Sequence, residues 1–165
     1  MSVKTLKDLF VDELKDMYNA ENQLTKALPQ MAKKATSDSL KKAFENHLKE
    51  TENQIKRLEK VFDEVGIAAK GKKCEAMEGL IKEAKGMMDE VEDEDVLDAA
   101  LISAAQKVEH YEIGSYGTLR TFAKLLGFSK SVDLLQENLD EEAAADEKLT
   151  EIAESEVNAE AEAEG

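Results

Sequence analysis

The residues best placed for chemistry in this chain are acids that fall on apolar helix faces. At ~100° per residue, Glu21 lies within about half a helix quadrant of the stripe carrying Leu14, Met17, Leu24 and Leu28. Glu112 does the same beside Val108, Tyr116 and Leu119. Glu142 and Asp146 occupy the stripe between Leu139 and Leu149, while His47, Thr51 and Gln54 share one with Leu40, Phe44 and Leu58. Glu50 stands to one side, a turn away from both His47 and Gln54. Carboxylates gathered in an apolar interior cannot all stay ionised without a counter-charge. A pair of divalent or trivalent metal ions held by hard oxygen donors on facing helices meets that need. Iron in such a site would cycle between two oxidation states and activate dioxygen or peroxide. Glu13 also falls on a stripe, and a lone acid there more often snorkels to water.

Four long helical stretches must position these groups. The first runs from about Thr5 to Lys34, with Thr5 and Asp8 as a capping box and Pro29 as an internal kink. The second follows the turn Thr36-Ser37-Asp38-Ser39 and ends near Gly66. The third begins after the acidic run Asp89 to Asp95 and stops at Gly127; the fourth starts with Ser129 or Ser131 as its cap. Short links make the first two and the last two helices antiparallel hairpins. The hairpins are separated by roughly 25–30 residues with a short helix from Glu75 to Met88, so the expected fold is all-α: a ferritin-like four-helix bundle with a long crossover.

An internal repeat supports this arrangement. A shift of 91 residues superposes Leu28 on Leu119, Ala32 on Ala123, Phe44 on Leu135 and Leu58 on Leu149. It also superposes Glu21 on Glu112 and Glu50 on Glu141. The repeat therefore favours Glu141 on the fourth helix, whereas the apolar phase favours Glu142. Phase decides between them, because a ligand must face the core.

Composition narrows the function classes. The chain has 165 residues, 37 Asp+Glu against 22 Lys+Arg, and a formal net charge of −15. Such a surface repels phosphate, which argues against nucleic acid and against anionic membranes. From Glu137 onward there are 12 acids and one base, leaving only −4 for the preceding residues. The expected organisation is one bundle domain over residues 1–153 and an acidic, unstructured tail over residues 154–165. No apolar run suits a spanning helix or a signal peptide, and Cys74 has no intramolecular partner, so a reducing cytoplasm is the expected compartment.

Several ordered motifs carry a resemblance. They are Tyr18-Asn19-Ala20-Glu21-Asn22-Gln23-Leu24 with Ala27-Leu28-Pro29, His47-Leu48-Lys49-Glu50-Thr51, and Cys74-Glu75-Ala76-Met77-Glu78-Gly79-Leu80. Ala104-Ala105-Gln106-Lys107-Val108-Glu109-His110-Tyr111-Glu112 and Leu139-Asp140-Glu141-Glu142, with Asp146 and Leu149, complete the set. Over about Thr5 to Ile152 the chain resembles the YciF/YciE-like family of bacterial stress-associated ferritin-like proteins, the YciF branch most closely. The resemblance implies a cytoplasmic homodimer made under osmotic or general stress, with a rubrerythrin-like dinuclear centre. It implies no established reaction.

The wider ferritin-like pattern places one Glu on each of two helices and Glu-x-x-His on each of the others. Glu21 and Glu112 suit the lone positions, but Glu50 is followed three residues on by Asn53, Glu141 by Ala144 and Glu142 by Ala145. Gln54 and Asp146 stand one turn further on as substitutes, and Glu109 offers an extra carboxylate beside Glu112. The expected ligand set is therefore Glu21, Glu50, Gln54, Glu109, Glu112, Glu142 and Asp146, holding dinuclear iron or manganese. An all-oxygen set binds iron(II) more weakly. Two function classes remain: a metal protein with oxidase, peroxide-consuming or metal-handling activity, or a metal-free helical stress protein acting through dimerisation or a partner.

Overall fold

The computed structural model describes residues 2–163. Met1 at the start of the expected domain, and Glu164 and Gly165 at the end of the expected tail, lie outside them. All regular structure among the described residues is helical, as the periodicity and the single Pro imply. In chain order the helices are α1 (Leu6–Lys34), α2 (Asp38–Val65), α3 (Glu75–Glu90), α4 (Glu94–Leu126) and α5 (Ser129–Ile152). A π-helical turn (Ala153–Val157) and a short α6 (Asn158–Ala163) continue α5.

Local chemistry accounts for most boundaries. The Thr5 hydroxyl accepts from Asp8 N at 3.1 Å, and Asp8 accepts from Thr5 N at 2.9 Å, closing the capping box on α1. α1 continues through Pro29 to Lys34. Gly66 and Gly127 end α2 and α4 in left-handed conformations, φ 79° and 80°, which only glycine adopts freely. The cap of α5 differs from expectation. Neither Ser129 nor Ser131 caps it with its own side chain; Glu64, in the last turn of α2, reaches across and accepts from Lys130 N, Ser131 N and the Ser131 hydroxyl.

Side-chain pairs set the packing. Tyr18 meets Glu59 and Phe62, so α1 and α2 run antiparallel. Arg120 meets Gln136 and Gln106 meets Thr150, so α4 and α5 do the same. Glu64 with Ser131 and His47 with Glu142 align α5 antiparallel to α2; Thr36 with Asp98 and Asp16 with Tyr111 align α4 antiparallel to α1. Each long helix thus packs on two neighbours, and α2 and α4 point the same way, with α3 in the link between them laid against α1 and α4. Phe10, Leu14, Leu24, Leu40, Phe44, Phe62, Leu119 and Leu135 fill the interior. At about 1.5–3 kcal/mol for each large apolar side chain, this burial is what forces the polar residues sharing those faces inside.

The crossover is pinned by the Asn19 segment. Asn19 Oδ1 accepts from Cys74 N at 2.8 Å, and Gln23 Nε2 donates to both Asn19 Oδ1 and the Cys74 carbonyl. Cys74 itself is buried and caps α3, its Sγ accepting from Met77 N.

The segment after Glu154 departs from the unstructured tail expected there. Val157 and Ala153 are buried, Glu156 accepts from the Ser37 hydroxyl at 2.6 Å, and the segment packs on α4. The cause is a difference in length: α4 has 33 residues and α5 has 24, so a continuation is needed to cover the first turns of α4. No helix among the described residues is long and apolar enough to cross a membrane.

Candidate metal centre

Four glutamates from three helices lose all solvent contact at mid-length: Glu21 on α1, Glu109 and Glu112 on α4, and Glu142 on α5. α2 contributes His47 and Gln54, both buried. Each sits where it does because its helix face is otherwise apolar: Met17 and Leu24 flank Glu21, Val108 and Tyr116 flank Glu112, and Leu135 and Leu149 lie on the face of Glu142.

His47 is the hinge of the cluster. Its Nδ1 lies 3.3 Å from Glu109 Oε1, and its Nε2 lies 3.2 Å from Glu142 Oε1. Ligand atoms of His47, Glu112 and Glu142 all fall within 4.8 Å of one another, close enough to share one cation. Most of the remaining acceptors have nothing to accept from. Both carboxylate oxygens of Glu21, Glu109 and Glu112, one of Glu142, the Gln54 Oε1 and the Tyr116 hydroxyl lack a hydrogen-bond partner. The Glu109 contact with His47 is a close approach without hydrogen-bond geometry.

The electrostatics record that deficit. Burial, reinforced by the charge of Glu142, pushes Glu21 up to about 8. Burial, then the charges of Glu142 and Glu21, holds Glu112 well above the usual carboxylate range. Glu109 is pushed up to about 7, again by burial. Burial would raise Glu142 as well, but the charge of His47 outweighs it and the carboxyl is held low. His47 answers in kind: burial would lower it, yet Glu142 and Glu109 lift it well above 6.5. The protein alone therefore keeps one imidazolium–carboxylate pair and favours protons on the other acids, less firmly on Glu109 than on Glu21. Those protons are what a divalent cation would displace.

The expected ligands divide into two groups. Glu21, Glu109, Glu112, Glu142 and Gln54 converge; Glu50 and Asp146 stand apart. Glu50 is half-buried on the outer side of His47, where Asn46 Nδ2 donates to it at 3.1 Å. Asp146 is turned to the α4–α5 seam, with its Oδ2 3.1 Å from His110 Nε2. Glu141, the partner favoured by the repeat, points outward to Arg57 Nη2 at 2.8 Å and to Gln54 Nε2 at 3.1 Å.

Sequence reasoning missed His47 as a donor and Tyr116 as a neighbour of the acids. The signal for His47 was present. It lies on the α2 stripe three residues before Glu50, whereas the ferritin-like pattern has a histidine three residues after a glutamate. Tyr116 is fully buried, its hydroxyl pressed upward in pKa by burial and by the charges of Glu21, Glu112 and Glu142.

Known proteins share both the chain and its fold. A family described as "Domain of unknown function (DUF892)" matches residues 5–162. Protein YciF of Escherichia coli (strain K12) is 50% identical over 163 residues, 98% of each chain. The crystal structure of the E. coli stress protein YciF aligns with a TM-score of 0.91, covering 94% of this chain and 99% of that one. YcfI of Rhodopseudomonas palustris aligns with a TM-score of 0.89 at 47% identity, covering 90% and 95%. A Xanthomonas campestris protein, 24% identical with a TM-score of 0.73 over 97% and 99%, shares the fold alone.

Proposed function

The chain belongs to the DUF892 family and is a homologue of the stress protein YciF, and on that premise we propose that it is a ferritin-like four-helix stress-response protein built around a carboxylate-rich dinuclear iron or manganese centre. One observation carries this reading: four fully buried glutamates present seven carboxylate oxygens with no hydrogen-bond partner. An interior acceptor left unmade costs about 1–3 kcal/mol, more when charged, and such a concentration of them asks for a ligand.

Glu21, Glu109, Glu112 and Glu142 would supply the oxygen donors and His47 a nitrogen. When bound, an iron pair supplies the one-electron steps that reduce dioxygen or peroxide, and either metal makes the protein a store or buffer for its ion. The chain's own residues prepare the site. Arg57 holds Glu141 outside and Asn138 in place, donating to Asn138 Oδ1 at 3.0 Å, so that α5 presents Glu142 inward. To serve as a ligand with Glu112 and Glu142, His47 would have to give up one of its ring protons. Packing leaves Glu21, Glu112 and Glu142 without solvent contact. The resemblance further supports a homodimer, and the lone buried Cys74 suits a reducing cytoplasm.

Elemental analysis after anaerobic iron(II) or manganese(II) loading tests the centre. About two ions per chain are expected, and less than one would overturn it. A second reading has its own support, since the hydrogen bond of His47 to Glu142 at 3.2 Å supplies that acid with a partner from the chain itself. A metal-free stress protein acting through dimerisation or a partner would keep its cellular role in Glu21→Ala and Glu112→Ala variants.

A further inference from the structure

Glu21, Glu112 and Glu142 are sealed by packing, so any ion must approach past a less enclosed neighbour. A cavity of about 210 Å³ opens among α2, α4 and α5 on the side where His47 is found. Glu50 and Lys148 line it toward solvent, and His47 and Glu109 line it toward the interior. Its α5 wall is Ala144 and Ala145. These alanines stand three residues after Glu141 and Glu142, where a Glu-x-x-His pattern would place an imidazole. The short side chains leave open the space that a ring would fill.

We infer that this cavity is the port by which a hydrated divalent cation reaches the buried carboxylates, Glu50 taking the ion at the mouth and Glu109 receiving it inside. The inference rests on the metal-binding reading above. At about 210 Å³ the cavity far exceeds the roughly 10–15 Å³ of accessible space that one water needs, so a hydrated cation fits in it. Acids stand at both depths of the cavity, a half-buried Glu50 and a Glu109 with no solvent contact and both oxygens unpartnered, and the ion would displace the protons that His47 and Glu109 hold there. Lys148 is the opposing charge at the rim, and its ammonium is drawn to Glu151, 2.8 Å away. Phe44 and Leu149 give the remaining wall an apolar surface that does not hold the ion back.

Stopped-flow uptake of cobalt(II), followed by its visible absorption, separates this port from the site it serves. Glu50→Gln and Ala145→Leu should slow uptake about tenfold while the final stoichiometry stays at the wild-type value, and Lys148→Gln should speed it about twofold. Lys148 and Glu50 do not fill the core, so these two variants carry the test if Ala145→Leu fails to fold. Unchanged uptake rates would overturn the port while leaving the centre standing. A Glu50→Gln protein that loads at the wild-type rate but binds fewer ions would make Glu50 a resident ligand and likewise overturn it. A wild-type protein that takes up no cobalt(II) would overturn the metal centre and the port together.

Discussion

Two acids on the same helix, both buried, lead opposite lives. Asp98, in the second turn of α4, is 2% exposed and accepts three hydrogen bonds from the α1–α2 turn: from Thr36 N at 2.9 Å, the Thr36 hydroxyl at 2.7 Å and Ser37 N at 2.7 Å. Glu112, about four turns further along, is 0% exposed and accepts none. Asp98 is a strut, replacing the backbone partners that a turn entering a helix lacks. Glu112 is held in place by the packing of its helix and has the acids Glu21 and Glu142 as polar neighbours. Burial of an acid is thus not a signature of function. Burial without a partner is the feature on which the proposed metal centre rests.

The contrast can be broken first at its structural end. Asp98→Ala leaves two backbone N–H groups and one hydroxyl unmet at a hairpin turn, and should destabilise the fold by about 3 kcal/mol, or about 10 °C in Tm. Urea unfolding measures it, and a loss below about 1 kcal/mol would show that water replaces Asp98 without penalty. Glu112→Leu should do the reverse. It removes an unpartnered polar group and keeps the volume, so the metal-free protein should be unchanged or more stable by about 1–2 kcal/mol, while metal stoichiometry falls. Destabilisation like that of Asp98→Ala would erase the distinction.

A subtler test uses pH. Glu21 and Glu109 bind their protons more tightly folded, at about 8 and about 7, than at the ordinary 4.5, and His47 is lifted above 6.5. A raised folded pKa contributes stability that is complete below the unfolded value and is lost as pH rises through the folded one. Metal-free protein should therefore melt at progressively lower temperature between about pH 4.5 and 8. Metal-loaded protein should not share that decline, because the protons have already left. Thermal scans across that range check both curves, and a metal-free Tm that rises with pH would contradict the protonated carboxyls.

Much of this was legible in the sequence, and the reasons are local. The stripes of Phe10, Leu14 and Met17 or of Leu135 and Leu149 name the buried faces, and Thr5, Gly66 and Gly127 mark helix ends through interactions within a few residues. Glu21, Glu112 and Glu142 could be placed inward because phase along a helix is arithmetic. What depends on a distant element was hidden. Asp98 meets Thr36 across 62 positions, and Glu64 meets Ser131 across 67. Nothing in either neighbourhood announces the other. His47 was hidden differently, in plain view on its stripe but in the reverse order of the expected motif.

The π-helical turn at Ala153–Val157 has a consequence for how the chain tolerates change. A π turn takes up one residue more than an α turn, so it absorbs a slip in register without rotating the helix beyond it. Upstream, α5 is phased so that Glu142 faces inward, and one residue more or fewer there would swing it by ~100°. Downstream, Val157 is phased to cover α4. The turn acts as a vernier between two scales that do not share a zero. It lets the outer segment drift in length while the carboxylates keep their bearing.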